Sequence, residues 1–399
     1  MRSIVFYFQV HQPFRLRRYT FFDVGRSDAY FDDEANAQIV RRVADKCYRP
    51  MNELLLRAIE ETDGAFRCAF SVSGTALEQM ALWAPEALES FRRLAATGSV
   101  EFLAETSHHS LAALFDWDEF DLQVAAQVRR IEELCGKRPT TFRNTELVCS
   151  NEIARRAEQL GFRCILAEGA DHVLGWRSPH RLYRPEGCER IKLLLRSYRL
   201  SDDVAFRFSN RGWDSWPLRS ETFADWLRAL PLGDDLVGLF MDYETFGEHQ
   251  WVETGIFAFM ARLPHEVLAR GMRFETPAEV AARFDPLGRL DMPWPVSWAD
   301  AERDLTAWLG NDMQKAAADV LWELGRDLRA RGDAELLERW RKLTTSDHLY
   351  YMCTKWFSDG DVHKYFSPFR SPHDAYIAFM NVLDDLGRRV RGRERRATA

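Results

Sequence analysis

The sequence lacks the features that mark a secreted, membrane-bound or nucleic-acid-binding protein. Cysteine is scarce: the 399 residues contain 7 cysteines, an odd number, and no CxxC pair. This argues against a disulfide framework or a zinc site and favours reduced thiols. No segment approaches the roughly 18 consecutive apolar residues that a membrane span requires. The net charge is −7, so no basic excess is available to neutralise nucleic-acid phosphates. We therefore expect neither a membrane nor a nucleic acid as a partner.

The N-terminus also lacks the pattern of a secretory signal. A signal peptide needs an uninterrupted apolar stretch that ends in small residues, whereas Gln9, His11 and Gln12 interrupt the apolar segment that starts at residue 3. Together with the reduced thiols, this pattern predicts a cytoplasmic protein. Nothing in the sequence indicates an oligomeric state.

Aromatic side chains, by contrast, are abundant. The chain has 13 Trp, 27 Phe and 11 Tyr, within an ordinary globular composition of 46% hydrophobic and 29% charged residues. Some of these rings must fill the core. Exposed rings are also what a sugar-binding cleft needs, because the C–H faces of pyranose rings pack on them.

Short apolar segments alternate with amphipathic ones over the first two-thirds of the chain. The predicted strands are 3–10, 66–72, 99–104, 140–145, 163–167, 192–197 and 236–241. Helical patterns lie between several of them, for example at 76–95 and 118–135. This alternation predicts βα units around a parallel sheet. Seven strands over about 280 residues favour a barrel over an open sheet, although periodicity does not separate the two.

The character of the sequence changes after a proline-rich segment at 284–298. Beyond it the chain is predicted to be helical at 299–330, 333–343 and 371–390. We place the boundary at residue 288. The expected organisation is an α/β barrel of residues 1–288 followed by a helical domain of residues 289–399.

Polar residues with useful chemistry follow four of the predicted strands. They are His11 after the first, Glu105 with His108 and His109 after the third, Glu146 after the fourth, and Asp242 after the last. In a parallel barrel the loops after the strands share one mouth, so these groups are expected to converge. Two carboxylates in an aromatic-rich cleft are what cleavage of a glycosidic bond requires, one ionised and one protonated.

Each of these residues also has a simpler explanation. Glu146 could be the favourable acid in the first turn of a helix, and His11 could be a core histidine. The segment "DYETFGEH" at 242–249 could be a loop of solvated acids. His108, His109 and an aspartate could instead bind a metal ion. Convergence at the strand ends favours the functional interpretation.

Five segments of the chain resemble the signature regions of glycoside hydrolase family 57, in its α-amylase-type branch. They are "FQVHQPFRLR", "AETSHHSLAAL", "FRNTELVCSNEIA", "FMDYETFGEHQW" and "TSDHLYYMCTKWFSDGDVHKYFSPF". The resemblance covers residues 3 to about 370. It implies an incomplete (β/α)7 barrel followed by a C-terminal helical domain that completes the cleft. It also implies action on α-1,4-glucans with retained anomeric configuration, and no metal or other cofactor.

The resemblance further implies roles for individual residues. Glu146 matches the nucleophile and Asp242 the general acid/base of the family. Independently of the resemblance, we expect hydrogen bonds or a nearby cation such as Arg143 to hold Glu146 ionised. Seven other positions match, or are expected to reach, the substrate: His11, Glu105, His109, Trp251, Asp347, His348 and Tyr350. If the pair is of the retaining type, its carboxyl groups should lie roughly 5–6 Å apart.

Two departures from the family pattern bear on the activity. Gln9 stands where many members have the first histidine of His-x-His-Gln-Pro. The segment "SDHLYYM" differs from the Asn-Asp start and the tryptophan that are typical of glucanotransferases, which favours an amylase-like hydrolase. A 4-α-glucanotransferase and a non-catalytic glucan-binding homologue remain the alternatives. A metal-dependent deacetylase fits the histidine pair but lacks a clear metal triad.

Overall fold

The barrel is built from strands that the sequence pattern locates closely. The computed structural model describes residues 1–355 and 367–397. Its strands are β1 (Ser3–Val10), β2 (Cys68–Val72), β3 (Val100–Phe102), β4 (Thr141–Arg143), β5 (Cys164–Glu168), β6 (Arg184–Pro185), β7 (Lys192–Arg196), β8 (Leu236–Asp242), β9 (Arg273–Phe274) and β10 (Arg289–Leu290). The seven predicted strands correspond to β1, β2, β3, β4, β5, β7 and β8, and all are confirmed.

Seven of these strands form a parallel ring in the order β3-β2-β1-β8-β7-β5-β4. The two ends of the path meet at a bridge between Ala104 and Phe142. There the amide of Ala104 donates to the carbonyl of Thr141 at 3.0 Å, and the amide of Arg143 donates to Ala104 at 2.9 Å. The ring has one βα unit fewer than an eight-stranded barrel. This confirms an incomplete (β/α)7 barrel, with a helical C-terminal part after it.

The strands are apolar along their length because helices cover the outside of the ring and side chains fill its inside. Every residue of β1, for example, is buried. The helices are α1 (Asp33–Val43), α2 (Arg49–Glu61), α3 (Gly74–Trp83), α4 (Pro85–Ala96), α5 (Trp117–Cys135), α6 (Asn151–Gln159), α7 (Asp171–Leu174), α8 (Tyr198–Ala205), α9 (Ser220–Ala229), α10 (Ile256–Ala269), α11 (Pro277–Arg283), α12 (Thr306–Leu309), α13 (Asp312–Arg331), α14 (Ala334–Leu343), α15 (Ser346–Tyr350) and α16 (Pro372–Ala397).

Two predicted helices differ from those in the structure. The segment 76–95 forms two helices, α3 and α4, because Pro85 has no amide to continue the first one. The predicted helix at 299–330 begins only at Thr306, with α12, and α13 follows it. The residues before Thr306 form an irregular segment in which Asp300 and Arg303 have φ values of 53° and 54°. That irregular segment forms one wall of the cleft described below.

The C-terminal helices share an apolar core with one side of the barrel. Phe142 of β4 and Ile165 of β5 belong to the same buried cluster as Trp308 of α12 and Trp340 of α14. In addition, β10 pairs with β6 in the loop that follows β5. The chain after residue 288 is therefore fixed against the strands that carry the candidate site. Within the described ranges, no helix is both long enough and apolar enough to cross a bilayer.

Candidate active site

Two adjoining cavities open at the carboxyl ends of the strands. We call the first the polar cavity. Its lining includes Gln9, His11, Arg15, His109, Glu146, Asp242, Glu244, His249, Trp298 and Asp347. We call the second the aromatic cavity. Its lining includes Arg196, Phe206, Met241, Asp242, His249, Trp298, Asp300 and Tyr350. Because Asp242, His249 and Trp298 line both, the two cavities form one cleft.

Glu146 lies on the loop after β4 with its carboxylate held on both oxygens. The Ser346 hydroxyl donates to Oε1 at 2.8 Å, and the Trp298 indole N–H donates to Oε2 at 3.0 Å. The residue has φ 58° and ψ 25°, a left-handed conformation that is uncommon for a residue with a side chain. Such conformations concentrate at functional sites, where the surrounding structure enforces them.

His109 lies between Glu146 and a second buried carboxylate, Glu105. Its Nδ1 is 2.6 Å from Glu105 Oε2, and its Nε2 is 3.5 Å from Glu146 Oε1. Burial alone would lower the pKa of His109, but the charges and hydrogen bonds of Glu105 and Glu146 outweigh burial and raise it to about 9. Burial likewise opposes ionisation of Glu105, yet His109 lowers the pKa of this carboxyl. At neutral pH the site therefore contains an imidazolium between Glu105 and Glu146.

Glu105 is itself anchored to the barrel interior. Gln9 Nε2 donates to its Oε1 at 3.1 Å, and the Ser71 hydroxyl donates to the same oxygen at 2.9 Å. Gln9, which replaces the first histidine of the family pattern, thus contributes a neutral donor at this position. Glu105 therefore holds His109 in place from beneath the cavity floor.

His11 connects the barrel to the C-terminal part. Its Nε2 is 2.9 Å from Asp347 Oδ2, and its Nδ1 is 2.8 Å from the Ser73 hydroxyl. Burial and the charge of His109 lower the pKa of His11, so the neutral form prevails. In the neutral ring one nitrogen donates and the other accepts. Nε2–H donating to the Asp347 carboxylate and Nδ1 accepting from Ser73 satisfy both.

Asp242 ends β8, and its backbone lies in register with Gln9 of β1. The acids that follow it are buried rather than solvated. Glu244 accepts a hydrogen bond from the Tyr48 hydroxyl, and burial together with the charge of Asp242 raises the pKa of Glu244 to about 8. Glu248 is 1% exposed and lies 2.9 Å from the Arg42 guanidinium. The segment 242–249 is therefore part of the interior, not a solvated loop.

The remaining predicted residues occupy three different environments. Tyr350 lines the aromatic cavity. His348 is 2% exposed, packs with its ring centroid 5.5 Å from that of Phe379, and lines neither cavity. Burial lowers the pKa of His348 to about 4, so it is neutral at physiological pH. Trp251 is 57% exposed and lies in a separate groove beside Lys46. Residues 356–366 of the fifth signature segment lie outside the described residues.

Several residues of the cleft were not predicted from the sequence, among them Trp298, Ser346 and Arg196. Ser346 immediately precedes Asp347 in a signature segment, so its position was a usable signal. Arg196 ends β7, where it pairs with Glu168 of β5 at 3.0 Å. Trp298 lies in the segment predicted to begin a helix, where no local pattern marks it.

Two other predictions can be compared with specific contacts. Arg143, expected beside Glu146, lies with its guanidinium carbon 4.7 Å from the Trp298 ring centroid, and its charge lowers the pKa of Glu105.

The metal-site alternative required His108 and His109 to converge. His108 Nε2 instead lies 3.1 Å from Glu338 of α14. Within residues 1–355 and 367–397, no group of three His, Cys, Asp or Glu side chains is arranged to hold a metal ion.

The sequence model described as "Glycosyl hydrolase family 57" matches residues 5–293. A Methanocaldococcus jannaschii protein named "Putative alpha-amylase" is 41% identical over 401 residues, covering 96% of this chain and 84% of that protein.

Two crystal structures share the fold. One is a GH57 branching enzyme from Thermococcus kodakaraensis, with a TM-score of 0.67 and 14% identity over 92% of this chain and 87% of that one. The other is a 4-alpha-glucanotransferase from Thermococcus litoralis, with a TM-score of 0.65 and 16% identity over 87% of this chain and 56% of that one. At these identities the likeness concerns the fold alone.

Proposed function

The chain belongs to glycosyl hydrolase family 57, and we propose that within this family it is a retaining hydrolase of α-1,4-glucosidic bonds. Its substrates would be starch- or glycogen-type glucans or maltooligosaccharides. The observation that carries this proposal is the environment of Glu146. Its carboxylate accepts from Ser346 and Trp298, lies beside the His109 imidazolium, and lines the same cavity as Asp242.

This environment suits a nucleophile, because hydrogen-bond donors and a nearby cation favour the ionised carboxylate. Asp242 extends from β8 and Glu146 from the loop after β4, and two strands separate β8 from β4 in the ring. The two carboxyl groups can therefore approach a bound sugar from different sides. We assign the nucleophile to Glu146 and the general acid/base to Asp242.

The proposed reaction has two displacement steps at the anomeric carbon. Glu146 attacks C1, the bond from C1 to the leaving oxygen breaks, and Asp242 gives that oxygen its proton. Asp242 then removes a proton from water, the water oxygen bonds to C1, and Glu146 departs as a carboxylate. Each step inverts C1, so the product retains the α configuration. The chemistry uses two carboxyl groups and water and requires no metal or cofactor.

The cleft offers suitable surroundings for the sugars. We place the sugar that reacts with Glu146 in the polar cavity, where His11 and Asp347 can bind hydroxyl groups. We place the adjoining sugar in the aromatic cavity, where Phe206, Trp298 and Tyr350 provide apolar faces. Trp251 would contact a more distant part of the glucan, and His348 would act by supporting its neighbour Asp347.

A 4-α-glucanotransferase is the second candidate, and the aromatic cavity is the observation in its favour. Its aromatic and polar lining adjoins Asp242, where an acceptor sugar could bind in place of water. Hydrolase and transferase share the glycosyl-enzyme intermediate and differ in what resolves it. A non-catalytic glucan-binding role is less favoured, because both carboxylates are present in one cavity.

We further propose a division of the chain into two domains and a cytoplasmic location. Residues 1–288 would form the catalytic barrel and residues 289–399 a helical domain that completes the cleft, since Trp298, Ser346 and Asp347 come from the second part. The cysteines at positions 47, 68, 135, 149, 164 and 188 are free thiols, which fits a cytoplasmic enzyme.

Product analysis from maltoheptaose tests the proposal. Proton NMR in the first minutes should show α-anomeric products, and chromatography should show only sugars shorter than the substrate. A β-anomer formed first would exclude retention. Products longer than the substrate would identify a transferase, and binding without turnover would identify a non-catalytic protein. Activity that disappears with EDTA and returns with a divalent metal would refute the metal-free mechanism.

A further inference from the structure

Trp298 contacts the candidate nucleophile at two points. Its backbone amide donates to the Glu146 carbonyl at 3.3 Å, and its indole Nε1–H donates to Glu146 Oε2 at 3.0 Å. The two residues are 152 positions apart in the chain. The first contact steadies the left-handed backbone of Glu146, and the second orients its carboxylate.

Two arginine side chains lie near the ring that makes this hydrogen bond. The guanidinium carbon of Arg143 lies 4.7 Å from the Trp298 ring centroid, and that of Arg196 lies 5.9 Å from it. Arg143 is fully buried, and none of its guanidinium nitrogens has a hydrogen-bond partner in the part of the chain that the structure describes. A cation near an aromatic ring is attracted to the π electrons. By drawing electron density from the indole, it makes the Nε1–H a stronger donor.

The segment that presents Trp298 is held by further contacts. Arg303 donates to the Trp298 carbonyl, and the Ser297 hydroxyl donates to the Asp304 carbonyl at 2.7 Å. The left-handed backbone of Arg303, with φ 54°, turns the chain so that its guanidinium reaches back to residue 298. The indole is therefore placed by a fixed loop rather than by a free side chain.

We propose that Trp298 is a positioning residue that fixes the orientation of the Glu146 carboxylate and favours its ionised form. The inference rests on the proposed role of Glu146 as the nucleophile. Trp298 binds Oε2 while Ser346 binds Oε1, so rotation of the carboxylate would break both hydrogen bonds. A charge-assisted hydrogen bond of this kind is stronger than one between neutral groups.

Trp298 also lines both cavities, so a change in substrate binding alone would not test the proposal. The pH dependence of kcat/KM does, because its acid limb reports the ionisation of an essential base in the free enzyme. Other groups can shape that limb as well. The titratable or charged side chains around Glu146 and its ligands include His11, Arg15, Glu105, His109, Asp242, Glu244, His249 and Asp347 in and beneath the polar cavity, and Arg143, Arg196, Asp300 and Arg303 beside Trp298.

The test compares Trp298→Phe with wild type on a nitrophenyl maltooligosaccharide, whose leaving group needs no protonation. The variant keeps an aromatic face for the arginines and the sugar but loses the N–H. We expect kcat/KM to fall about 10- to 100-fold and the acid limb to move to higher pH by about one unit, since a hydrogen bond to a charged group is lost. Ser346→Ala, which removes the other donor, should move the limb in the same direction.

Trp322→Phe is the matched control. Trp322 is also buried, but its Nε1 has no hydrogen-bond partner within the described residues. The pH profile of kcat/KM for Trp322→Phe should therefore equal that of the wild type. Trp298→Met, which also lacks the N–H, replaces Trp298→Phe if thermal unfolding shows that the latter does not fold.

Three results would contradict these expectations in different ways. Full turnover by Glu146→Ala would refute the proposed function itself. If Glu146→Ala is inactive but Trp298→Phe keeps kcat/KM within twofold of wild type, Trp298 does not position the nucleophile. A fall in kcat/KM without movement of the acid limb would show that Trp298 contributes only to substrate contact or packing, which also overturns the inference.

Discussion

The imidazole rings of His11 and His109 stack with their centroids 4.0 Å apart and their planes 19° from parallel. The two rings carry different charges at neutral pH. Burial and the neighbouring charge lower the pKa of His11, whereas Glu105 and Glu146 overcome burial and raise the pKa of His109 to about 9. The stack therefore places a cation on the face of a neutral ring and joins the Asp347 side of the cleft to the Glu146 side.

The charge on His109 should make stability depend on pH. The pKa of His109 is about 9 in the folded protein against 6.5 for an unperturbed histidine. The stability that its charge adds is therefore fully present below pH 6.5 and is lost as the pH rises through 9. His109→Asn tests this, because asparagine tolerates the φ of 50° at this position. The difference in unfolding free energy between wild type and variant should shrink by about 3 kcal/mol between pH 6 and pH 10. A difference that stays constant across this range would show that His109 is neutral.

Glu244 should produce a pH dependence through its protonated form. Its pKa is raised from 4.5 to about 8, so the folded state holds a proton that the unfolded chain releases, and stability declines as the pH rises from 4.5 through 8. Glu244→Gln removes this decline. In chemical denaturation, we expect the free energy of unfolding of the variant to equal that of wild type near pH 5. At pH 9 it should be larger than that of wild type by at least about 1 kcal/mol.

Glu248→Gln in the same loop is the control for that experiment. It removes one partner of the ion pair with Arg42, so its expected effect is a loss of stability at pH 9. If Glu248→Gln instead raised the stability at pH 9 as much as Glu244→Gln does, the cause would be the total negative charge of the loop and not the pKa of Glu244.

The two carboxylates should respond differently to removal. Glu146→Ala should lose nearly all activity on every substrate, and azide should restore turnover with an inverted product, because azide replaces the nucleophile. Asp242→Ala should keep measurable activity on a nitrophenyl glycoside, and azide should there give a product of retained configuration. The anomeric form of the azide product is measured by NMR. The reverse pattern would exchange the two roles, and near wild-type rates on glucan for both variants would place the site elsewhere.

Gly247 should be essential to the loop that follows Asp242. Its φ is 108°, and a Cβ at this position would lie 2.0 Å from the carbonyl oxygen of Lys46. Gly247→Ala should therefore cost more than the roughly 1 kcal/mol that a glycine conformation alone explains, and should lower kcat as the loop shifts. Gly255→Ala is the matched control, since its φ is 85° with no atom within 4 Å of the added Cβ. Equal melting temperatures for the two variants would show that the contact with Lys46 can relax.

The residues at the strand ends could be grouped from the sequence because of the geometry of a parallel barrel. Each short apolar segment locates a strand, and the loop after it must open at the shared mouth. This placed His11, His109, Glu146 and Asp242 in one cleft. The break between α3 and α4 has a signal in the sequence as well, Pro85, but the prediction of one helix at 76–95 did not use it.

The contacts that give Glu146 its environment could not be predicted in this way. Trp298 and Ser346 are 152 and 200 residues from it in the chain, and they meet it only because the C-terminal helices pack into a core shared with the barrel. The exposed position of Trp251 in a separate groove could not be predicted either, because it depends on how the loop after β8 turns. Periodicity describes which face of an element is apolar, and it carries no information about which distant element will cover that face.

The sequence by itself thus determined the order of the strands along the chain, the apolar surfaces that drive them together, and the ionisable groups at their ends. Only the tertiary structure decided the charge of those groups. Whether His109 is a cation and Glu244 a neutral acid depends on burial and on neighbours within a few ångströms, and electrostatic energies change steeply over such distances in a buried site.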